Sequence, residues 1–255
     1  MIQARLLTLD TFREQVVETV NTFALSPAER SRVDIQSTAR GGHGARGYGR
    51  TEQHDLEIAW WVHPERYGRE ASFLYESLAL QGSERILSIG CGPALHEATI
   101  AGLYPHTSVV ATDLDPEEIA TAREVARRME VENIEHHALK AEELGPVASQ
   151  GAFDRIISLA VLHDIGDLSG AMKTVRGFLK DDGVFAFTYN PYRRHAIFPD
   201  APVLDVVAEE FEIVSERPLV TPEDSHRLYG DIAALSEEQR GYSLGWDAVV
   251  AVPRQ

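Results

Sequence analysis

The chain has 255 residues with 44% hydrophobic content, enough for one sizeable α/β domain plus an appendage. Its net charge of −16 is spread along the chain, which argues against unassisted binding to a nucleic-acid backbone. No apolar run approaches the ~20 residues of a membrane span, and the single cysteine, Cys91, leaves no internal disulfide framework. The first residues lack the apolar core of a signal peptide. A soluble cytoplasmic protein is expected, without nucleic-acid or membrane partners, as a monomer or homodimer.

Thr11-Phe12-Arg13-Glu14 has the form of a capping box, and Phe12, Val16, Val17, Val20 and Phe23 recur at helical spacing. Ser26-Pro27 opens a further short helix. Half of residues 41–50 are glycine, which excludes a stable helix or strand interior. That segment reads either as a connector or as a lid whose Arg46, Tyr48 or Arg50 touches ligand once closed. Helices are predicted from Glu52 to Val62, carrying Trp60 and Trp61, and from Gly68 to Leu80. Residues 1–80 therefore form a helical cap or lid region, and 81–255 the core.

The core opens with a short apolar strand, Ile86 to Ile89, that stops at Gly90-Cys91-Gly92 and runs into a helix over 94–103. Two glycines there permit a sharp turn and a ligand lying against bare main chain. The helix start beyond adds unpaired N–H groups and a positive dipole end. The next strand, 108–112, ends at Asp113-Leu114-Asp115-Pro116, where a carboxylate can accept from both ribose hydroxyls. A dinucleotide turn would need a third glycine, but that position is Leu95, and Pro93 lacks an N–H. The ligand read from these residues is an adenosine without a pyrophosphate.

Further strands are predicted at 133–138, 154–159 and 183–189, and helices at 116–130 and 168–180, with Gly183 in the turn between helix and strand. Asp115 suits an N-cap, with Glu117 and Glu118 complementing the helix dipole. A helix over 204–211, an extended 212–216 and a last strand at 246–252 complete the core. Residues 218–243 show no pattern and read as a loop or short helix. This alternation gives an α/β fold, doubly wound around a mostly parallel sheet.

Leu87-Ser88-Ile89-Gly90-Cys91-Gly92-Pro93-Ala94 resembles the first motif of the class I S-adenosylmethionine-dependent methyltransferases. Ala111 to Pro116 is similar to their ribose-binding strand tip, Phe153 to Ile165 to their fourth strand and following loop, and Leu179 to Thr188 to the turn into their fifth strand. The four matches come in the family's order and spacing. The resemblance implies a seven-stranded Rossmann-like sheet ending in an antiparallel hairpin, with S-adenosylmethionine as cofactor. It places Ser88, Gly90, Cys91, Gly92, Asp113, Leu114, Ala141, Glu142 and Leu159 around that cofactor. It places His163, Tyr189 and Asn190 at the substrate, with Tyr48 and Trp60 contributed by the cap. His163 and Tyr189 are the candidate catalytic groups, His163 as base because its ordinary pKa lies near neutrality.

The departures are equally specific. Ser88 stands where the family has an acid, and Ala94 where it has a third glycine. Leu139-Lys140-Ala141 replaces Gly-Asp-Ala, leaving Glu142 or Glu143 to substitute for the acid facing the adenine. No metal is expected, since neighbouring His136 and His137 point to opposite faces of a strand. The expected reaction is methyl transfer to oxygen or nitrogen of a small-molecule substrate. Gly90-Cys91-Gly92-Pro93-Ala94-Leu95 and Arg194 to Pro199 also faintly resemble nicotianamine-synthase-like enzymes, which transfer an aminobutyrate group from the same cofactor. Ser88 and Lys140 keep open a third reading, a non-catalytic fold relative.

Overall fold

The computed structural model describes residues 7–23, 64–191, 202–221, 223–224 and 245–254. Tyr48, Trp60, the helices expected near 26–29 and 52–62, the glycine-rich segment and Arg194 to Pro199 lie outside the described residues. The chain divides into two compact units, 1–79 and 80–255.

The first unit packs α1 (Leu9–Phe23) against α2 (Pro64–Leu78). The cap of α1 lies one turn earlier than the sequence predicts. Thr8 accepts the Thr11 N–H through its hydroxyl at 3.2 Å and the Phe12 N–H through its carbonyl at 3.0 Å, so Thr11 is already helical. Phe12, Val16, Val20 and Phe23 form the buried stripe. α2 likewise starts at Pro64 rather than Gly68, consistent with proline's fixed φ at a first helical position. Gly68 falls inside it, where a Cβ would stand 3.2 Å from Val17, and this bare backbone allows the two helices to approach closely.

The second unit is a seven-stranded sheet in the order β3-β2-β1-β4-β5-β7-β6. Its elements are β1 (Arg85–Ile89), α3 (Leu95–Leu103), β2 (Ser108–Asp113), α4 (Pro116–Arg128), β3 (Ile134–Ala138), β4 (Phe153–Leu159), α5 (Leu168–Phe178), β5 (Leu179–Tyr189), α6 (Val203–Glu210), β6 (Phe211–Val220) and β7 (Trp246–Pro253). The pairs among β1 to β5 are parallel, and β7 inserts antiparallel between β5 and β6. Ile86, Leu87, Val109, Val110, Ile156 and Ile157 are fully or almost fully buried, as central parallel strands covered on both faces require.

Gly183 stands in the turn that the sequence predicts, although β5 as bounded begins four residues before it. β5 begins at Leu179, paired with Phe153, and the register shifts between Phe153 and Arg155. Gly183 closes the stretch between those two registers: a Cβ there would come within 2.5 Å of the Leu179 side chain and 3.0 Å of the Lys180 carbonyl oxygen, so the backbone folds back over residues 179–183. The polar run Lys180-Asp181-Asp182 looks like a turn in isolation. It bulges out of the pairing with β4, between Phe153–Leu179 and Arg155–Val184, and the Lys180 ammonium meets Asp154 at 2.5 Å.

Strand order reverses between β1 and β4, so their carboxyl ends flank the crevice where open α/β sheets bind ligands. Buried hydroxyls pin this edge. Thr112 donates to the Ser88 carbonyl at 2.9 Å, Ser158 donates to the Ile89 carbonyl at 3.1 Å, and the Thr188 hydroxyl accepts the Ala160 N–H at 3.0 Å.

Candidate functional site

The turn after β1 has left-handed backbone at Gly90 (φ 68°), Gly92 (φ 52°) and Ala94 (φ 54°). Glycine adopts this at little steric cost, and Ala94 does so at a cost of roughly 1–2 kcal/mol. Gly90 has a second reason to lack a side chain. A Cβ there would fall 2.3 Å from a methyl of Val161, the residue that crosses over from the end of β4. The Cys91 N–H donates to the Thr112 carbonyl at 2.9 Å, which fastens the turn to β2.

Asp113, at the tip of β2, accepts the Gly92 N–H on Oδ2 and the Asp115 N–H on Oδ1, both at 2.9 Å. Its carboxylate is half-buried; burial raises its pKa, and these two N–H bonds oppose the rise without cancelling it. Each carboxylate oxygen has a second lone-pair direction, so the pair still has capacity for vicinal hydroxyls. Beside it Leu114 is 56% exposed, one of two large apolar side chains left open among the described residues. Asp115 caps α4 by accepting the Glu117 N–H at 2.8 Å. Bare turn, carboxylate and exposed leucine thus stand together at the crevice, offering open main chain, a hydrogen-bond acceptor and an apolar face.

Other expected residues group less tightly. Leu159 ends β4 and is partly exposed. Ala141 is buried and Glu142 partly exposed, in the loop after β3 that the Leu139 N–H ties to the Asp113 carbonyl at 2.8 Å. His163 is wholly buried in a single turn over 162–164, with its ring 5.2 Å from Trp246 at 70°. Its Nδ1 accepts the Asn190 N–H at 3.3 Å, which assigns the proton to Nε2, 3.8 Å from Asp164. Asn190 is buried directly after β5. The Tyr189 hydroxyl turns along the sheet to Glu216 at 3.5 Å. Burial, with Asp247 and Glu216 adding to it, pushes the Tyr189 phenol well above its ordinary range, so it is held protonated.

Two acids escape a motif-based reading. Ser88 is buried and donates to Glu97 on α3 at 2.5 Å, and Glu97 is only 3% exposed. Glu118, expected to complement the helix dipole at the start of α4, turns inward at 8% exposure, with Oε2 buried and without a hydrogen-bond partner among the described residues. Burial, then Asp113, Asp115 and Glu117, raises its pKa to about 9, so it is neutral near pH 7. A signal for Glu118 did exist: it shares a helical face with the buried Ala122 and Val125. Burial drives the Cys91 thiol well above its ordinary value, and Glu97, Asp113 and Glu118 add to the rise. A thiolate is thereby suppressed and nucleophilic use disfavoured.

The sheet order, with β7 antiparallel between β5 and β6, and the glycine turn beside an acid at the neighbouring strand tip are those of the class I, Rossmann-like methyltransferases that use S-adenosylmethionine. Residues 80–218, over half the chain, match the family described as methyltransferase domain, and the chain belongs to it. Among curated relatives, a malonyl-[acyl-carrier protein] O-methyltransferase from Acetivibrio thermocellus is 31% identical over 120 residues, covering 46% of this chain and 40% of that protein. The match therefore spans well under half of that relative's length. Among solved structures, the N-methyltransferase NodS from Bradyrhizobium japonicum with S-adenosylhomocysteine superposes at TM-score 0.57 and 17% identity, covering 76% of this chain and 89% of that one. A geranyl diphosphate methyltransferase bound to S-adenosylmethionine gives 0.61 at 14% identity, covering 74% and 86%. At such identities these are likenesses of fold.

Proposed function

We propose that this enzyme methylates an oxygen or nitrogen of a small-molecule acceptor. The observation that carries the reading is the Gly92–Asp113 bond, which sets the glycine turn and the acid of β2 as one unit at the switch point. The charge of −16 supports a small acceptor over a nucleic acid. The relatives' printed acceptors include a carrier-bound malonyl group and geranyl diphosphate, so they do not converge on one molecule.

When bound, S-adenosylmethionine supplies a methyl carbon already activated by its sulfonium. What remains for the chain is to hold, align and dry the reacting pair. In this reading Gly90, Cys91 and Gly92 receive the amino-acid arm along bare main chain, Asp113 takes the ribose hydroxyls, and Leu114 with Ala141 and Glu142 borders the base. Leu159 closes the floor. His163 orients Asn190 toward the acceptor; a base role for it would belong to a hydroxyl acceptor, whereas a neutral amine needs none. Tyr189 supports the same edge as a neutral phenol.

The test is to incubate the protein with methyl-labelled S-adenosylmethionine and a metabolite extract, then identify the labelled product and the spent nucleoside. A methylated small molecule with S-adenosylhomocysteine is expected. Methylthioadenosine as the spent nucleoside would move the enzyme to aminobutyrate transfer instead.

A further inference from the structure

Glu118 is the third residue of α4, the helix whose N-cap is Asp115. A glutamate at that position ordinarily reaches back to the N-cap N–H and closes a capping box. Here the Asp115 N–H is already taken, donated to Asp113 Oδ1 at 2.9 Å. Glu118 is instead 8% exposed, and its Oε2 is buried without a hydrogen-bond partner among the described residues. The Cys91 thiol of the glycine turn feels both Asp113 and Glu118, which sets the Glu118 carboxyl on the turn side of α4. Burial, then Asp113 from β2 and Asp115 and Glu117 from its own helix, keep that carboxyl protonated near neutral pH. Two carboxyl groups thus attend one amide, and the one that holds it is the proposed acceptor for the ribose.

We propose that Glu118 is the relief acceptor for the Asp115 amide: as ribose hydroxyls draw Asp113 Oδ1 to themselves, the Glu118 carboxyl turns to that amide and completes the capping box. Without it, Oδ1 serves an N–H and a hydroxyl only by dividing its lone pairs between them. Glu118 accepts best as a carboxylate, where the helix dipole supports it, so its proton passes to solvent on binding. The net positive charge of S-adenosylmethionine offsets the carboxylate so formed. Glu118 is a positioning residue, acting through Asp113 rather than on the reacting carbon. The inference rests on the cofactor reading of Asp113 and is independent of the acceptor.

Calorimetric titration with S-adenosylmethionine at neutral pH, in Pipes and in imidazole, counts the protons released on binding, because the two buffers differ in heat of ionisation. The parent is expected to release about one proton more per nucleoside than Glu118→Gln. The amine of the cofactor contributes equally to both counts and cancels. The Gln amide oxygen still accepts, so the affinity of Glu118→Gln should stay within about twofold of the parent. Glu118→Leu fills the space without an acceptor and is expected to bind about tenfold more weakly, the amide being left unmatched. Equal proton counts in the parent and Glu118→Gln, or full affinity in Glu118→Leu, would reduce Glu118 to a buried strut and overturn the exchange. The count needs only the parent and Glu118→Gln, so it decides the matter even where Glu118→Leu does not fold. A parent that fails to bind would overturn the cofactor reading together with this one, whereas binding without the extra proton overturns this one alone.

Discussion

Asp113 accepts the Gly92 N–H at 2.9 Å, so the acid at the tip of β2 also braces the turn that follows β1. Neither can move without the other. The same carboxylate receives the Asp115 N–H that leads into α4, and the three segments lining the crevice share one anchor.

The turn should be intolerant of side chains at its first glycine. In Gly90→Ala the left-handed φ of 68° costs roughly 1–2 kcal/mol, and overlap with Val161 adds to it. A fall in Tm of at least about 3 °C is expected by calorimetric scanning. Adding Val161→Ala should recover the overlap but not the backbone cost, leaving Tm between the single variant and the parent.

Glu118 makes stability depend on pH in a predictable direction. Its pKa rises from 4.5 in the unfolded chain to about 9 in the fold, so the native state holds the extra proton between those values. Stability contributed by the neutral acid is fully present below 4.5 and declines as pH rises toward 9. Glu118→Gln keeps the shape and cannot ionise. Its Tm should match the parent near pH 4.5 and exceed it increasingly up to pH 9; a gap that does not change with pH would refute the assignment.

His163 offers a test between base and brace. With Nδ1 engaged by the Asn190 N–H, the ring serves first as an acceptor, a duty an amide oxygen can approximate. His163→Asn should keep turnover within about tenfold of the parent, while His163→Leu loses more and raises KM for the acceptor. A general base would instead cost about 10²–10⁴-fold in both variants and alter the pH profile of kcat.

Much of the sheet is legible in the sequence because buried parallel strands are written as unbroken apolar runs, such as Ile86–Ile89 and Val109–Ala111. The glycine turn is legible because backbone sterics restrict the residue types allowed there, and Asp113 because it ends an apolar run at a strand tip. Other features depend on partners distant in sequence. Thr8 rather than Thr11 starts α1 because the local pattern suits either threonine. Leu179 joins β5 only through its pairing with Phe153 of β4, across a register shift. Glu97 and Glu118 look like ordinary helix-start acids until folding turns them inward, and Glu97 meets Ser88 across a turn no periodicity describes.

The account turns on adenosine being gripped by Asp113 beside the bare turn, and binding to Asp113→Ala measures this most directly. Titrated with S-adenosylmethionine at neutral pH, the folded variant should bind about 1–3 kcal/mol more weakly than the parent, the cost of leaving polar partners unmatched. Unchanged affinity in a protein with parental circular dichroism would contradict it and place the cofactor elsewhere.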